Sequence, residues 1–286
     1  MSTKVETYFD QDTSTASHIL IDDATNLAAI IDPVMGFDQK SGRTNFDLIT
    51  TMLLRLKETG AQVKYVLETH AHADHLTSAD YIRKQTGAQI VIGKAITQVQ
   101  HTFSAVFNEG DNLACDGSQF DVLVSEGDSL QLGESCISVM ATPGHTPACV
   151  SYLVNDTVFV GDTIFMPDVG SARCDFPGGD ARTLYQSVQR LLGLGDEVTM
   201  YLCHDYPPAG RDVQTHVTVA EQRQNNIHMK DGVSEDDFVA MRSARDETLD
   251  VPRLILPSLQ VNIRAGAFPT AEDNGTAYLK LPLNLL

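Results

Sequence analysis

The sequence contains few basic residues and no long apolar stretch. Lys and Arg together number 20 against 38 Asp and Glu among 286 residues, which gives a formal net charge of −18. A chain this acidic repels polyphosphates at long range, which argues against nucleases and other nucleic-acid-binding proteins. No apolar run reaches the length that a membrane-spanning helix needs. We therefore expect neither a nucleic-acid partner nor a membrane partner.

The chain also lacks a disulfide pattern and an export signal. Its five cysteines are odd in number, widely spaced and without a C-x-x-C pair. Residues 1–9 contain no apolar core of signal-peptide length and no small-residue cleavage site. Both absences predict a reduced, cytoplasmic location.

No internal repeat, low-complexity tract or interdomain linker interrupts the chain. Its length suffices for a sizeable core, so we predict a single domain over residues 1–286. Within it, residues 228–286 are expected to form a carboxyl-terminal arm. The segment 256–264 is apolar enough to pack back on the body, and Pro257 interrupts it, so we expect an extended tail there.

Apolar periodicity predicts two sheets with helices between their strands. Strands are expected at 5–9, 17–21 and 28–31 in the first sheet, with buried strands at 63–67 and 89–92. The second sheet is expected from strands at 120–124, 128–132, 135–141, 150–153 and 157–160, and a further strand covers 197–202. Helices are predicted at 45–59, from 76 to about 86, from a cap at Asp180 to 192, at 215–227, and after Ser234, while 97–106 is ambiguous.

The strongest signal is the run 69–76, which reads THAHADHL and follows the strand at 63–67. His70 and His72 are two residues apart, so in extended backbone their side chains project to the same side and can reach one cation. Asp74 and His75 are offset enough to serve a neighbouring position. Four potential ligands within six residues predict a metal site in this strand-to-helix loop.

Three further potential ligands follow strand-like segments. His145 lies in the turn 142–147, Asp162 ends the strand at 157–160, and His204 follows the strand at 197–202. Each of them alone is more often an ordinary turn or strand end than a ligand. Together, and in this order, they predict that four segments of the chain build one metal centre.

The pattern H-x-H-x-D-H at 70–75, followed by His145, Asp162 and His204, resembles the metallo-β-lactamase superfamily. This resemblance implies an α/β fold of the αββα sandwich type, with two mixed sheets packed face to face and helices on the outer faces. It also implies a metal site along one sheet edge. The ligands would be divided as follows: His70, His72 and His145 on one metal, Asp74, His75 and His204 on a second, and Asp162 between them.

The ligand set alone is compatible with a two-zinc hydrolase and with a one-iron oxygenase. The segment GSARCDF at 170–176, the phrase His204-Asp205-Tyr206 and the segment 257–264 resemble the persulfide dioxygenases, also called sulfur dioxygenases. In that family one Fe(II) per chain is held by the residues that match His70, His145 and Asp162. The other motif residues, His72, Asp74, His75 and His204, would surround that iron, with Asp74 and His75 assisting catalysis.

The implied reaction converts glutathione persulfide, dioxygen and water to sulfite and glutathione. Glutathione carries two carboxylates, so an acidic chain needs local cations to bind it. The candidates for substrate binding are Arg173, Arg211 and the phenol of Tyr206, and we also assign catalytic roles to Arg173 and Tyr206. Arg173 could instead pair with Asp175. Cys174 departs from the family pattern, which has Thr between this Arg and Asp.

Two alternatives stay open at this point. A glyoxalase II-like thioester hydrolase would share the ligands and the glutathione carrier but bind two Zn(II) per chain. It usually adds a helical carboxyl-terminal domain, which an extended tail would not provide. A metal or sulfide sensor would bind without turnover. The oligomeric state is also open, with a homodimer as one candidate, and the missing export signal argues against secreted antibiotic hydrolysis.

Overall fold

The computed structural model describes residues 2–285 and contains fifteen strands within that range. In chain order the strands are β1 (Thr3–Asp10), β2 (Thr15–Asp22), β3 (Leu27–Ile31), β4 (Val34–Asp38), β5 (Arg43–Asn45), β6 (Gln62–Leu67), β7 (Leu76–Thr77), β8 (Gln89–Gly93), β9 (Val122–Val124), β10 (Ser129–Leu132), β11 (Ser135–Ala141), β12 (Val150–Val154), β13 (Thr157–Phe159), β14 (Thr199–Tyr201) and β15 (His216–Thr218).

Seven α-helices connect these strands within the described range. They are α1 (Asp47–Thr59), α2 (Ala79–Thr86), α3 (Ile96–Val106), α4 (Ala181–Leu192), α5 (Val219–Asn225), α6 (Glu235–Asp246) and α7 (Ile255–Asn262). Gly60 and Gly87 end α1 and α2 in the left-handed conformation, with φ of 72° and 76°. Asp180 caps α4 by accepting a hydrogen bond from the Thr183 amide.

The strands form two six-stranded mixed sheets and a small third sheet. The spatial order is β1-β2-β3-β6-β8-β9 in the first, β10-β11-β12-β13-β14-β15 in the second and β5-β4-β7 in the third. Apolar side chains from both large sheets, such as Leu67 and Tyr152, pack in one shared core between them. Helices α1, α2, α3 and α7 cover the outer face of the first sheet, while α4, α5 and α6 cover the second. The predicted αββα sandwich is therefore confirmed.

Three local predictions were wrong. The strand predicted at 120–124 belongs to the first sheet, because β9 pairs in parallel with β8. The helix predicted at 215–227 begins only at Val219, since residues 216–218 form β15 and Thr218 closes a capping box with Glu221. The tail predicted as extended contains α7, whose residues 257–262 are all buried.

The tail is helical because Pro257 lies in the first turn of α7, where a missing amide proton breaks no intrahelical hydrogen bond. The region 228–286 thus contributes α6 and α7 to the packed layers. Its description as an arm on a single domain stays a prediction.

The topology brings the ligand-bearing segments to one edge. Strands β3 and β6 are parallel neighbours, as are β13 and β14. The carboxyl ends of the two strands in each pair therefore lie side by side at one edge of their sheet. An antiparallel bridge between Thr15 and His204 joins the two large sheets there. The loops that follow these four strands therefore meet at one place.

None of the helices in residues 2–285 is both long enough and apolar enough to cross a lipid bilayer.

Candidate metal centre

The histidine-rich loop begins at the carboxyl end of β6 and is fastened to Asp32, which follows β3. The amide and the hydroxyl of Thr69 donate to the two carboxylate oxygens of Asp32, at 2.8 and 2.9 Å. Asn262 of α7 donates to the carbonyl oxygens of His72 and His75, at 2.8 Å each. The loop is therefore fixed from two sides, by the end of the neighbouring strand and by the last residue of α7.

Each histidine of the centre has one ring nitrogen committed to a neighbour. His70 Nδ1 lies 3.1 Å from Thr69 Oγ1, His72 Nε2 lies 3.0 Å from Asp32 Oδ1, and His204 Nδ1 lies 3.1 Å from the Ser14 carbonyl. Such bonds fix the tautomer and the orientation of a metal-binding imidazole. The other ring nitrogen of each of these histidines is left for the interior of the site.

Six ligand atoms are buried without any hydrogen-bond partner: His70 Nε2, His72 Nδ1, Asp74 Oδ2, His75 Nε2, Asp162 Oδ1 and His204 Nε2. Leaving this many polar atoms buried and unpaired would destabilise the fold substantially, whereas a bound cation would satisfy them together. Imidazole and carboxylate donors suit iron and zinc. The residues present thus fit a metal, as the sequence predicted.

The predicted ligands fall into two clusters that share an edge, and two further groups of potential ligands within residues 2–285 include the buried Cys203. Cluster 1 is His70, His145 and Asp162, and cluster 2 is His72, Asp74, His75 and His204. Asp162 faces both, since its Oδ2 lies 3.9 and 3.8 Å from the Nε2 atoms of His70 and His145 while its Oδ1 lies 3.3 Å from His204 Nε2. The geometry therefore has room for ligation at one position or at two.

His72 falls in cluster 2, although the superfamily pattern assigns it to the first metal. Its ring centroid lies 4.1 Å from that of His70 and 4.2 Å from that of His75, so it stands between the two clusters. The predicted ligand set is brought together in full, while its division between metals stays a prediction.

Electrostatics at His70 and Asp74 favour the protonation states that metal binding requires. Burial, followed by repulsion from His72, lowers the pKa of His70 well below its usual range, so this imidazole is neutral. Burial alone would raise the pKa of Asp74, but the combined attraction to His204, His75 and His72, with a hydrogen bond to His75, outweighs it and holds the pKa well below the usual range. A neutral imidazole and an ionised carboxylate are the forms that bind cations.

His145 is supported by the segment that resembles the persulfide dioxygenases. Its Nδ1 lies 2.7 Å from the Arg173 carbonyl, which leaves Nε2 facing Asp162. The buried ion pair between Arg242 and Asp246 of α6 holds this segment, because Asp246 accepts from the Cys174 amide at 2.8 Å and Arg242 donates to the Ser171 carbonyl at 3.2 Å. Helix α6 therefore determines where the backbone behind His145 lies.

A cavity of about 460 Å³ opens over the two clusters. Its volume is within the range of small-molecule sites. His145, Asp162 and Asp74 line it on the metal side, and Tyr206 also lines it. The remaining lining residues are Asp12, Thr13, Ser14, Ala73, Phe165, Val169, Ser171, Arg173, Arg242, Arg245, Leu249, Pro252 and Arg253.

The predicted substrate-binding residues are placed differently from one another. Arg173 lines the cavity, but its guanidinium makes two 2.6 Å hydrogen bonds to Asp175. Tyr206 is 47% exposed and stacks on His204, with ring centroids 5.7 Å apart. Arg211 binds Asp205 and Asp168 and is not among the cavity-lining residues. Substrate contact by any of the three stays a prediction, and Arg211 has the weakest geometric support.

Sequence reasoning missed several residues that support or line the site. Asp32 could have been found, because it follows a buried strand as Asp162 and His204 do. Asn262 carried no signal, since its hydrogen-bond partners in the metal-site region lie 185 or more positions away along the chain. The arginines of α6 were missed because a capped helix pattern does not reveal which face meets a distant loop.

A model described as the metallo-β-lactamase superfamily matches residues 15–204. The chain belongs to this superfamily. The match ends at His204, so it includes every predicted ligand but excludes α6 and α7. The matched range also contains strands β2 to β14 of the sheets.

Individual relatives carry different names. A probable metallo-hydrolase from Burkholderia pseudomallei is 50% identical over 99% of both chains, and glyoxylase B2 from Dictyostelium discoideum is 47% identical over 99% of this chain and 98% of its own. Human mitochondrial persulfide dioxygenase ETHE1 is 30% identical, with 92% and 89% covered. The crystal structure of ETHE1 from Myxococcus xanthus superposes with a TM-score of 0.74 at 30% identity, covering 92% of this chain and all of that one.

Proposed function

We propose that this metallo-β-lactamase superfamily member is an iron(II)-dependent persulfide dioxygenase that oxidises glutathione persulfide to sulfite and glutathione. The observation that carries the proposal is cluster 1, in which two histidines and one carboxylate converge at the floor of the substrate-sized cavity. Two imidazoles and a carboxylate on one face of iron leave positions open for other ligands. The likeness to ETHE1 in sequence and structure supports the same assignment.

In this proposal His70, His145 and Asp162 hold the iron, and cluster 2 surrounds it. Iron(II), when bound, supplies the one-electron chemistry that dioxygen requires. The chain's own residues position the reactants. Partial burial and the nearby carboxylates of Asp74 and Asp162 raise the pKa of Tyr206, so its phenol stays protonated and can donate a hydrogen bond to an anionic sulfur or carboxylate. The ionised Asp74, which lines the same cavity as Tyr206, can orient water there.

A two-metal thioester hydrolase is the second candidate, and specific observations favour it. Cluster 2 alone offers four ligand atoms within 4.8 Å of one another. The relatives named metallo-hydrolase and glyoxylase B2 are more similar to this chain than ETHE1 is. An extended tail would have counted against a hydrolase with a helical carboxyl-terminal domain. The carboxyl-terminal region instead contains the helices α6 and α7.

One paired assay separates the two candidates. Protein purified anaerobically and loaded with iron(II) is given glutathione persulfide in an oxygen electrode, and a second sample is given lactoylglutathione with thioester loss followed spectroscopically. We expect oxygen uptake with sulfite formation, scarcely any thioester cleavage, and about one iron per chain. Rapid thioester cleavage without oxygen uptake would replace the dioxygenase by the hydrolase. Absence of both activities in iron-loaded protein would favour a sensor.

A further inference from the structure

Two arginines on the cavity wall have no carboxylate partner among residues 2–285. Of the 12 arginines in the sequence, nine form an ion pair within 4.0 Å in residues 2–285, and the exceptions are Arg43, Arg245 and Arg253. Arg245 and Arg253 both line the cavity over the metal clusters, and both are exposed there. In a chain of net charge −18 an arginine finds an acidic partner easily, so leaving two unpaired at one cavity is informative.

The backbone that carries these arginines is fixed to the metal site. Arg245 is three residues after Arg242 on α6, so both side chains lie on one face of the helix. The buried Arg242 forms an ion pair with Asp246 and donates a hydrogen bond to the Ser171 carbonyl. The loop between α6 and α7 that presents Arg253 is held by Arg173, whose Nη1 donates to the Asp250 carbonyl at 2.7 Å. The guanidinium groups of Arg245 and Arg253 form no ion pair within residues 2–285. The backbone that carries both side chains is nevertheless held in place.

The other two arginines that line the cavity are already engaged, Arg242 with Asp246 and Arg173 with Asp175. Both carboxylate oxygens of Asp175 accept hydrogen bonds from Arg173, so a substrate carboxylate would have to compete for that guanidinium. Arg245 and Arg253 require no such exchange. Asp12 is on the same wall but makes no ion pair with either of them within residues 2–285.

We infer that Arg245 and Arg253 form a carboxylate-binding rim that recognises the anionic ends of the thiol carrier. This inference deepens the proposed function, since it names the groups that select a carrier with carboxylates. Glutathione carries its sulfur on the middle residue and a carboxylate at each end. With the sulfur directed to His145 and Asp162, the carboxylates reach outward, where guanidinium groups can bind them with two parallel hydrogen bonds.

The test measures glutathione binding directly and does not depend on turnover. Calorimetric titration of metal-loaded wild type with glutathione is compared with Arg245→Gln, Arg253→Gln and the double variant. Arg43→Gln is the matched control, because Arg43 is also an exposed arginine without an ion pair but lies on β5, outside the cavity. We expect Kd to rise about threefold to tenfold for each rim variant and to stay unchanged for the control.

A second ligand identifies the group that is recognised. Glutathione with both carboxylates esterified should bind wild type about as weakly as glutathione binds the double variant, and the rim substitutions should not weaken the ester further. Unchanged glutathione binding in both rim variants, equal weakening of glutathione and ester, or wild type that binds no glutathione at millimolar concentration would each overturn the inference.

Oxygen uptake, measured separately, distinguishes the two proposals. If the rim variants lose glutathione affinity while wild type shows no oxygen uptake with the persulfide, the rim stands and the dioxygenase assignment fails. If oxygen uptake is normal and glutathione affinity is unaffected in the variants, the dioxygenase stands and the rim fails.

Discussion

The two ligand clusters share an edge but are supported by different parts of the chain. Cluster 1 takes His145 from the turn between β11 and β12, and this histidine depends on the Arg173 carbonyl and, behind it, on the Arg242–Asp246 pair of α6. Cluster 2 comes mainly from one loop, which Asn262 of α7 holds through two backbone carbonyls.

Exposure differs among the ligands within each cluster. His145 and Asp162 are 6% and 8% exposed and line the cavity, whereas His72, His75 and His204 are 1% exposed or less. A substrate entering the cavity therefore meets His145, Asp162 and Asp74, while His70 and the imidazoles of cluster 2 lie beneath. In the proposed dioxygenase, cluster 1 would hold the metal at the cavity and cluster 2 would support it, and substitutions in each cluster should separate these roles.

The largest effect is expected for His145→Ala, which removes a ligand of cluster 1. Metal analysis of anaerobically prepared protein should show about one iron per chain in wild type and near none in the variant, and oxygen uptake should vanish. His101→Ala is the control, because His101 is an exposed histidine on α3. A variant that keeps its iron and more than about a tenth of its activity would place the metal on cluster 2.

Breaking the ion pair behind cluster 1 should come next. Asp246→Asn leaves Arg242 buried without a charge partner, and both residues are less than 10% exposed. We expect the free energy of unfolding to fall by about 3 kcal/mol, measured by urea denaturation of the metal-free protein.

The matched control for that change is Glu126→Gln. It breaks the Arg190–Glu126 pair at the surface, which should contribute less than about 1 kcal/mol. Equal losses in the two variants would contradict the structural role assigned to α6, and an iron affinity lowered in Asp246→Asn alone would extend that role to His145.

Sequence reasoning located cluster 2 and the ligands of cluster 1, but not what supports them. The run at 69–76 contains enough potential metal ligands to be recognised from the sequence alone. Asp162 and His204 were found because each follows a segment with the apolar, β-branched pattern of a strand. The support comes from contacts across 70 to 190 positions, such as Asp246 with the Cys174 amide and Asn262 with His72. Local patterns predict elements, whereas such distant pairs are fixed only when the sheets pack.

The same limit explains the error in the carboxyl-terminal region. Pro257 suggested extended chain, yet it is in the first turn of α7, where proline is compatible with a helix. The apolar residues that follow were expected to pack on the body, and they do, as a helix whose last residue holds the metal loop. Helix α6 was predicted from Ser234, but the direction of its arginines was not.

Substitution in cluster 2 should have a smaller effect than in cluster 1. His204→Ala removes a buried imidazole whose Nε2 lies 3.2 Å from Asp74 Oδ2, and in the dioxygenase it surrounds the iron without holding it. We expect about one iron per chain still, with activity lowered about 10- to 100-fold. Two tightly held metals per wild-type chain that fall to one in His204→Ala would instead establish the two-metal hydrolase arrangement.

The smallest effect is expected for Arg173→Ala, because the part of Arg173 that supports His145 is its backbone carbonyl, which the substitution keeps. The side chain pairs with Asp175 and is only partly available to substrate, so KM for glutathione persulfide should rise about threefold to tenfold while kcat changes less than about twofold. The iron content of Arg173→Ala should equal that of wild type. The control is Arg190→Ala, which breaks the surface ion pair between Arg190 and Glu126 and should change neither KM nor kcat. An iron content reduced by half or more would show that the Arg173 side chain acts by holding the segment behind His145, since a guanidinium does not ligate iron.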